Sequence, residues 1–181
     1  MKKTAIVYVS GAPGSGKTTL AKLLSEQLYI PHVSSDLIHG GVALLQPEHD
    51  RKHTLQHVFI PTMVAMAKKG VSFVADHVLQ KGIAETTIID KLRPYATIVY
   101  VHTQTADPIE RYIDRTKHSQ LPSIVSRRRQ LLERADTHKQ NLKLTDEPLA
   151  LDAPLIVVNT DNGYNPSLER IVAFIKLHCQ A

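Results

Sequence analysis

Residues 9–24 read VSGAPGSGKTTLAKLL: a strand-like end, a turn with three glycines, then a leucine-rich stretch. Gly11, Ala12, Pro13, Gly14, Ser15, Gly16, Lys17 and Thr18 satisfy G-x-x-x-x-G-K-[ST], followed by Thr19. The flanks supply the context that the pattern requires. TAIVYVS (4–10) is apolar and β-branched enough for a strand, and Leu20, Leu23, Leu24 and Leu28 fall on one helical face. Glycines let the backbone turn its N–H groups inward around a phosphate chain, and the helix starting near Lys17 adds its positive dipole end. Lys17 is placed to reach β and γ phosphates, and the Thr18 hydroxyl suits Mg²⁺. A plain tight turn has no need of Lys-Thr at that offset.

Outward from this loop, apolar runs at 30–35, 71–76, 97–102 and 154–159 read as four further strands, each buried on both faces. Helical patterns lie between them at about 48–69, 82–92, 107–117, 121–140 and 166–178, with Pro61 expected to kink or break the first near residue 60. The alternation predicts an α/β fold of three layers, a five-stranded, mostly parallel sheet covered by helices on both sides. The length of 181 residues suits a single domain over 1–181. MKKTAIVYVSG superficially suggests a signal peptide, yet its apolar run leads straight into the glycine loop and reads as the first strand. No stretch is long and apolar enough to span a bilayer, and one cysteine, Cys179, forms no internal disulfide. Both fit a cytoplasmic protein.

Charge is segregated. Between residues 111 and 129, six basic residues face one acid, Asp114, and this local excess equals the net charge of +5. A basic surface spread over the fold would suggest nucleic acid; one basic segment suggests a local anionic partner such as a nucleoside triphosphate. VVNTDNG (157–163) lacks the N-K-x-D signature of a GTPase, and an AAA+ motor would need an additional helical domain.

With SSD at 34–36, FVAD at 73–76 and the arginine-rich segment at 110–130, the chain resembles the small P-loop kinase superfamily. The nearest layouts are chloramphenicol phosphotransferase, the zeta toxins, polynucleotide kinase, and gluconate and shikimate kinases. The resemblance implies an ATP- and Mg²⁺-dependent phosphotransferase acting on a small-molecule hydroxyl. It assigns Asp36 as the base that accepts or orients the hydroxyl proton, with a helix N-cap as the alternative role. Asp76 ends the FVAD strand in the Walker B position, serving the metal, the acceptor, or the cap of the next turn. His77 either touches substrate or is satisfied locally.

DPIERYIDRTKHSQLPSIVSRRRQLLER (107–134) resembles the mobile lid of these kinases, at about 111–130. The resemblance directs Arg115 and Arg128 to the phosphates and Arg111 to the adenine side. At least one of Arg127, Arg128 and Arg129 is expected to face solvent. Thr160 to Asn162, after the fifth strand, would contact the base.

Nucleoside-monophosphate kinases place an arginine three residues beyond the acidic position; here it is His39, which favours a neutral acceptor unless Arg51 compensates. His49, His53 and His57 share one helix face, as a polar surface or as pocket lining. Two other readings use the same loop. One is an ATP-binding regulator or ATPase with a macromolecular partner; the other is a polynucleotide or toxin-like kinase, in which nucleic acid is the less favoured acceptor.

Overall fold

A strand buried along its whole length anchors the molecule. In the computed structural model, which describes residues 4–179, β1 (Thr4–Gly11) lies between β3 (Phe73–Asp76) and β4 (Ala96–Gln104), parallel to both. β2 (His32–Ser34) pairs outside β3 and β5 (Leu155–Asn159) outside β4, giving the order β2-β3-β1-β4-β5 with every pairing parallel. Alternate residues of β1 serve opposite layers, because strand side chains alternate. Val7 and Val9 pack with Leu20, Leu24 and Ile171 from α1 (Lys17–Leu28) and α9 (Leu168–Cys179). Ile6 and Tyr8 pack with Phe59, Met63 and Leu92 on the opposite face. The predicted three-layer α/β arrangement is therefore present.

Register places the chemistry. Ser34 and Val9 both lie opposite Asp76, so β2 and β3 end level and β1 runs two residues further before the glycine loop leaves it at the carboxyl edge of the sheet. Ligands of open parallel sheets bind at this edge.

Helices differ in detail from the sequence reading. The stretch predicted at 48–69 contains α3 (Arg51–Thr54), a π turn at Leu55–Phe59, and α4 (Ile60–Lys68). Pro61 does not break it. The wider π turn falls just before the proline, which sits in the first turn of α4 where a missing N–H is tolerated. A second π turn, Glu85–Ile89, leads into α5 (Asp90–Leu92) within the 82–92 stretch. α2 (Ser35–Leu45) begins at the end of β2. α6 (Pro108–His118) agrees with the predicted helix, whereas 121–140 divides into α7 (Pro122–Val125) and α8 (Arg128–Gln140). Among the described residues no helix is long and apolar enough to cross a membrane.

Candidate functional site

The glycine loop is clamped from the side of α6. A Cβ built on Gly14 would lie 1.8 Å from the Pro108 carbonyl oxygen, and its φ is +92°, so the position requires glycine twice over. From beneath, Ser15 Oγ meets Thr103 Oγ1 of β4 at 2.6 Å. Thr160 Oγ1 donates to the Ser15 carbonyl at 3.0 Å. A loop braced from three elements presents its N–H groups without having to order on binding. Lys17 is only 7% exposed, and its ammonium donates to the Ala12 carbonyl at 3.4 Å across the loop. Burial lowers its pKa, while the carboxylates of Asp36 and Asp76 oppose that shift.

Asp76 is fully buried and collects three side chains. Thr18 Oγ1 and Ser34 Oγ donate to its Oδ1 at 3.3 and 3.2 Å, and His32 Nε2 lies 2.6 Å from its Oδ2. The two hydroxyls and the carboxylate form an all-oxygen set, the donor chemistry that a hard cation such as Mg²⁺ takes. The structure thus joins Thr18 and Asp76, and it adds His32 and Ser34, which nothing in the local sequence marked as partners of Asp76.

Asp36 lies in the first turn of α2, whose N-cap is Ser34, so capping is not its role. Arg51 Nη2 donates to Asp36 Oδ1 at 2.6 Å. Burial alone would raise the Asp36 pKa, but Arg51 and then Lys17 outweigh it and hold the carboxyl well below its usual range. Two imidazoles flank it. His77 Nδ1 sits 2.8 Å from Ser35 Oγ, and His39 Nδ1 3.2 Å from Thr54 Oγ1. Burial, followed by the field of Arg51, pushes His77 down to about 3 and His39 down to about 4. Both are neutral at physiological pH.

α7 packs against α2, so the 111–130 segment reaches the helix that carries Asp36. Its arginines separate by role. Arg128 Nε and Nη2 donate to the Thr116 and Ser119 carbonyls at 3.2 and 2.6 Å, tying the arm to the end of α6. Arg129 is exposed and pairs with Glu133 at 3.0 Å. Arg127 is half-buried, in the field of Arg51, Arg134 and Asp36. Arg115 lies over the Tyr112 ring at 5.8 Å and is an electrostatic neighbour of Lys17.

Just beyond β5, Arg111 Nη1 donates to Thr105 Oγ1, Thr160 Oγ1 and the Thr160 carbonyl at 2.9, 3.0 and 3.3 Å. Arg111 and Thr160, predicted together, meet here. Asp161 accepts from Thr105 Oγ1, the Ala106 N–H and Asn159 Nδ2, and these bonds hold its carboxyl below the usual range. An open cleft of about 730 Å³ lies against Thr105, Asp107, Glu110, Arg111 and Asp161. Thr19, by contrast, is exposed.

Arg134 and His138 were not singled out from the sequence. They stand seven and eleven positions beyond Arg127, the spacing that returns to one face of a helix. That repeat was the available signal. The His138 ring meets Tyr112 edge-on at 5.0 Å, and the Tyr112 hydroxyl donates to the Leu131 carbonyl at 3.0 Å, anchoring α8 on α6. His49 stacks on His53 at 4.1 Å and the His57 ring lies tilted against His53 at 4.6 Å, but His49 precedes the N-cap Asp50 and His57 falls in the π turn, so the three form a row of rings rather than one face of a regular helix. Among the described residues no group of three or more His, Cys, Asp or Glu could hold a metal ion.

A braced Walker-type loop at the carboxyl edge of a parallel 2-3-1-4-5 sheet defines a P-loop nucleotide-binding protein with the fold of the small kinases. Residues 10–126 match the AAA domain family, and the chain belongs to that family. The residues beyond, up to 179, add β5 to the same sheet and α9 to the layer already holding α1.

Similar solved structures include a Chloroflexus aurantiacus J-10-fl protein provisionally described as a kinase, at TM-score 0.75 and 20% identity, covering 99% of this chain and 98% of that one. A sugar kinase from Janibacter sp. HTCC2649 superposes at TM-score 0.58 with 19% identity over 96% and 95% of the chains. A gluconokinase from Sinorhizobium meliloti 1021 does so at 0.55 with 16% identity over 98% and 94%. At these identities the likeness is one of fold. No match is found among curated proteins.

Proposed function

We propose that the chain, acting as one unit, is an ATP-dependent phosphotransferase that moves the γ-phosphoryl group to a hydroxyl of a small molecule, with Asp36 as base. The observation that carries this reading is the Asp36 carboxylate, kept anionic by Arg51 at 2.6 Å and within the field of Lys17. A hydroxyl held between Asp36 and the loop would face a γ-phosphate held by Lys17, the electrostatic neighbour of Asp36. The acceptor oxygen bonds to the γ-phosphorus as the bond to the bridging oxygen breaks. ADP leaves, and the hydroxyl proton passes to Asp36. A weak base suffices, because in a loose transition state the proton leaves late.

Lys17 and Arg115 neutralise the transferring group, while Arg128 is a positioning residue that holds the lid arm to α6. Thr18 and Asp76 would hold Mg²⁺, which when bound would neutralise phosphate charge. His32, on the far carboxylate oxygen, orients Asp76 toward Thr18. Arg111 and Thr160 form one wall of the base site. Closure of 111–130 excludes water, which separates transfer from hydrolysis.

The test is a panel of sugars, sugar acids, nucleosides and hydroxylated antibiotics with labelled ATP. Wild-type protein yields an acceptor-dependent phosphorylated product, and Asp36→Asn lowers its rate by about 10²–10⁴-fold with ATP binding retained. Acceptor-independent ATP hydrolysis that is unchanged in Asp36→Asn would favour the regulator or ATPase reading.

A further inference from the structure

On one face of β4 the apolar core ends in two polar side chains, Tyr100 and His102, which point the same way because strand side chains alternate. Each is 1% exposed, so its polar atoms must find partners inside the protein. They find them in one segment. Residues 142–151 lead from the end of α8, through a 3₁₀ turn at Leu142–Leu144, towards β5. His102 Nε2 lies 2.8 Å from the Asp146 carbonyl, and the Leu149 N–H donates to the Tyr100 hydroxyl at 3.4 Å. The Tyr100 hydroxyl in turn lies 3.1 Å from His102 Nδ1. A further bond, from the Lys81 N–H to the Leu144 carbonyl at 3.2 Å, ties the same strap to the loop after β3.

Two backbone groups fix the direction of this relay, because a carbonyl only accepts and an N–H only donates. Nε2 therefore carries the His102 proton and Nδ1 is bare. The Tyr100 oxygen accepts from Leu149, and its O–H donates to Nδ1. Every bond in the chain requires a neutral imidazole. A proton added at Nδ1 turns the Tyr100 O–H away from its acceptor and sets two N–H groups on one buried phenol oxygen. Ser10, a hydrogen-bonding neighbour of Tyr100, is itself engaged by the Leu79 N–H at 2.8 Å. The ionisable groups around the pair come from three elements. Asp146 of the strap favours a charged imidazole, Glu85 of the second π turn acts on Tyr100, and Tyr8, opposite Tyr100 on β1, is kept neutral by burial. On β5 the residue opposite His102 is the apolar Val157. Burial of His102 outweighs both the Asp146 carbonyl and the Asp146 carboxylate, and its pKa lies below the ordinary histidine value.

We propose that Tyr100 and His102 form a latch that holds residues 142–151 on the sheet, and that protonation of His102 releases it. The strap is the return path from α8, so its release frees the carboxyl end of that helix from the sheet. His102 immediately precedes Thr103, the brace of Ser15, so one strand holds the glycine loop from one face and the strap from the other. A released His102 titrates at its ordinary value of roughly 6.5, and a latched one lower. The latch is therefore intact above about pH 6.5 and weakens as pH falls through that value. Between pH 7.5 and 5.5 the released state gains about three- to tenfold.

Two measurements on the full chain test the latch, and neither needs an acceptor or a nucleotide. Amide hydrogen exchange, corrected for intrinsic rates, is followed at Lys81 and Leu149 at pH 7.5 and 5.5, with the amides of β1 reporting global unfolding. The Lys81 and Leu149 amides open more readily than β1, and their opening constant rises about three- to tenfold at pH 5.5. His102→Gln removes most of that rise, and Tyr100→Phe raises the opening already at pH 7.5. An opening constant that ignores pH, an equal rise in His102→Gln, or exchange of both amides only as fast as β1 overturns the proposal. The second measurement uses wild type alone. Ring ¹⁵N shifts at pH 7.5 should show His102 protonated at Nε2 and bare at Nδ1; the opposite tautomer, or an imidazolium, overturns the relay and the latch with it.

Discussion

At the residue scale, the buried His39 and the half-buried His77 predict a specific pH response. Their folded pKa values, about 4 for His39 and about 3 for His77, lie below the unfolded value of roughly 6.5. Between these limits the unfolded chain binds protons that the folded chain refuses, so stability rises with pH there and falls as pH drops below about 6.5. Each histidine contributes a slope of up to about 1.4 kcal/mol per pH unit. Denaturation midpoints taken from pH 7 to pH 5 should fall, and His39→Asn should flatten part of the decline. An unchanged slope in that variant would mean that His39 is already protonated in the folded state. Asp36 titrates well below this window, so the acid limb of a rate profile above pH 5 belongs to some other group.

At the scale of elements, the contact between the glycine loop and α6 makes two glycines behave differently. Gly14→Ala drives a methyl into the Pro108 carbonyl at a positive φ. It should cost at least about 2 kcal/mol and abolish nucleotide binding, read by denaturant unfolding and by equilibrium titration with a fluorescent ATP analogue. Gly82→Ala meets nothing within 4 Å at φ +80°, so it bears the left-handed penalty alone, about 1 kcal/mol, and leaves nucleotide affinity intact. The lid arm yields a second contrast. Arg128→Ala removes the donors that tie Thr116 and Ser119. It should raise the ratio of ATP hydrolysis to transfer, since a looser arm admits water. Arg129→Ala, which removes only an exposed pair with Glu133, should leave that ratio unchanged.

For the whole molecule, the phosphate loop, β4, the β5–α9 connection and the lid are coupled through Ser15, Thr103 and Thr160, so a bound nucleotide stabilises the assembly as a unit. At about 100 times its Kd, MgATP adds about 2.7 kcal/mol, a rise in Tm of roughly 5–10 °C for a chain of this length. Scanning calorimetry should show that rise in wild type and its loss in Lys17→Ala.

The chain order alone determined the layers and the loop. Continuous β-branched runs cannot face water on either side, and Lys-Thr after spaced glycines has one common chemical use, so strand count, parallel sheet and Walker loop were all legible in linear order. Local pattern was less informative wherever distant segments decide the outcome. Pro61 predicted a kink or break near residue 60, yet packing of Phe59 and Met63 against the sheet keeps the helix continuous and a π turn at Leu55–Phe59 is the local distortion found there. Asp36 was legible as a candidate base but not its tether to Arg51, fifteen positions away. Nor was the order among three consecutive arginines, which depends on which carbonyls α6 leaves unpaired at its end. Only the tertiary structure brings Thr18 of α1 and His32 and Ser34 of β2 onto the Asp76 carboxylate. The reason is physical: hydrophobic period is a property of neighbours in the chain, whereas the charge of a pocket is a sum over residues that become neighbours only after the core has formed.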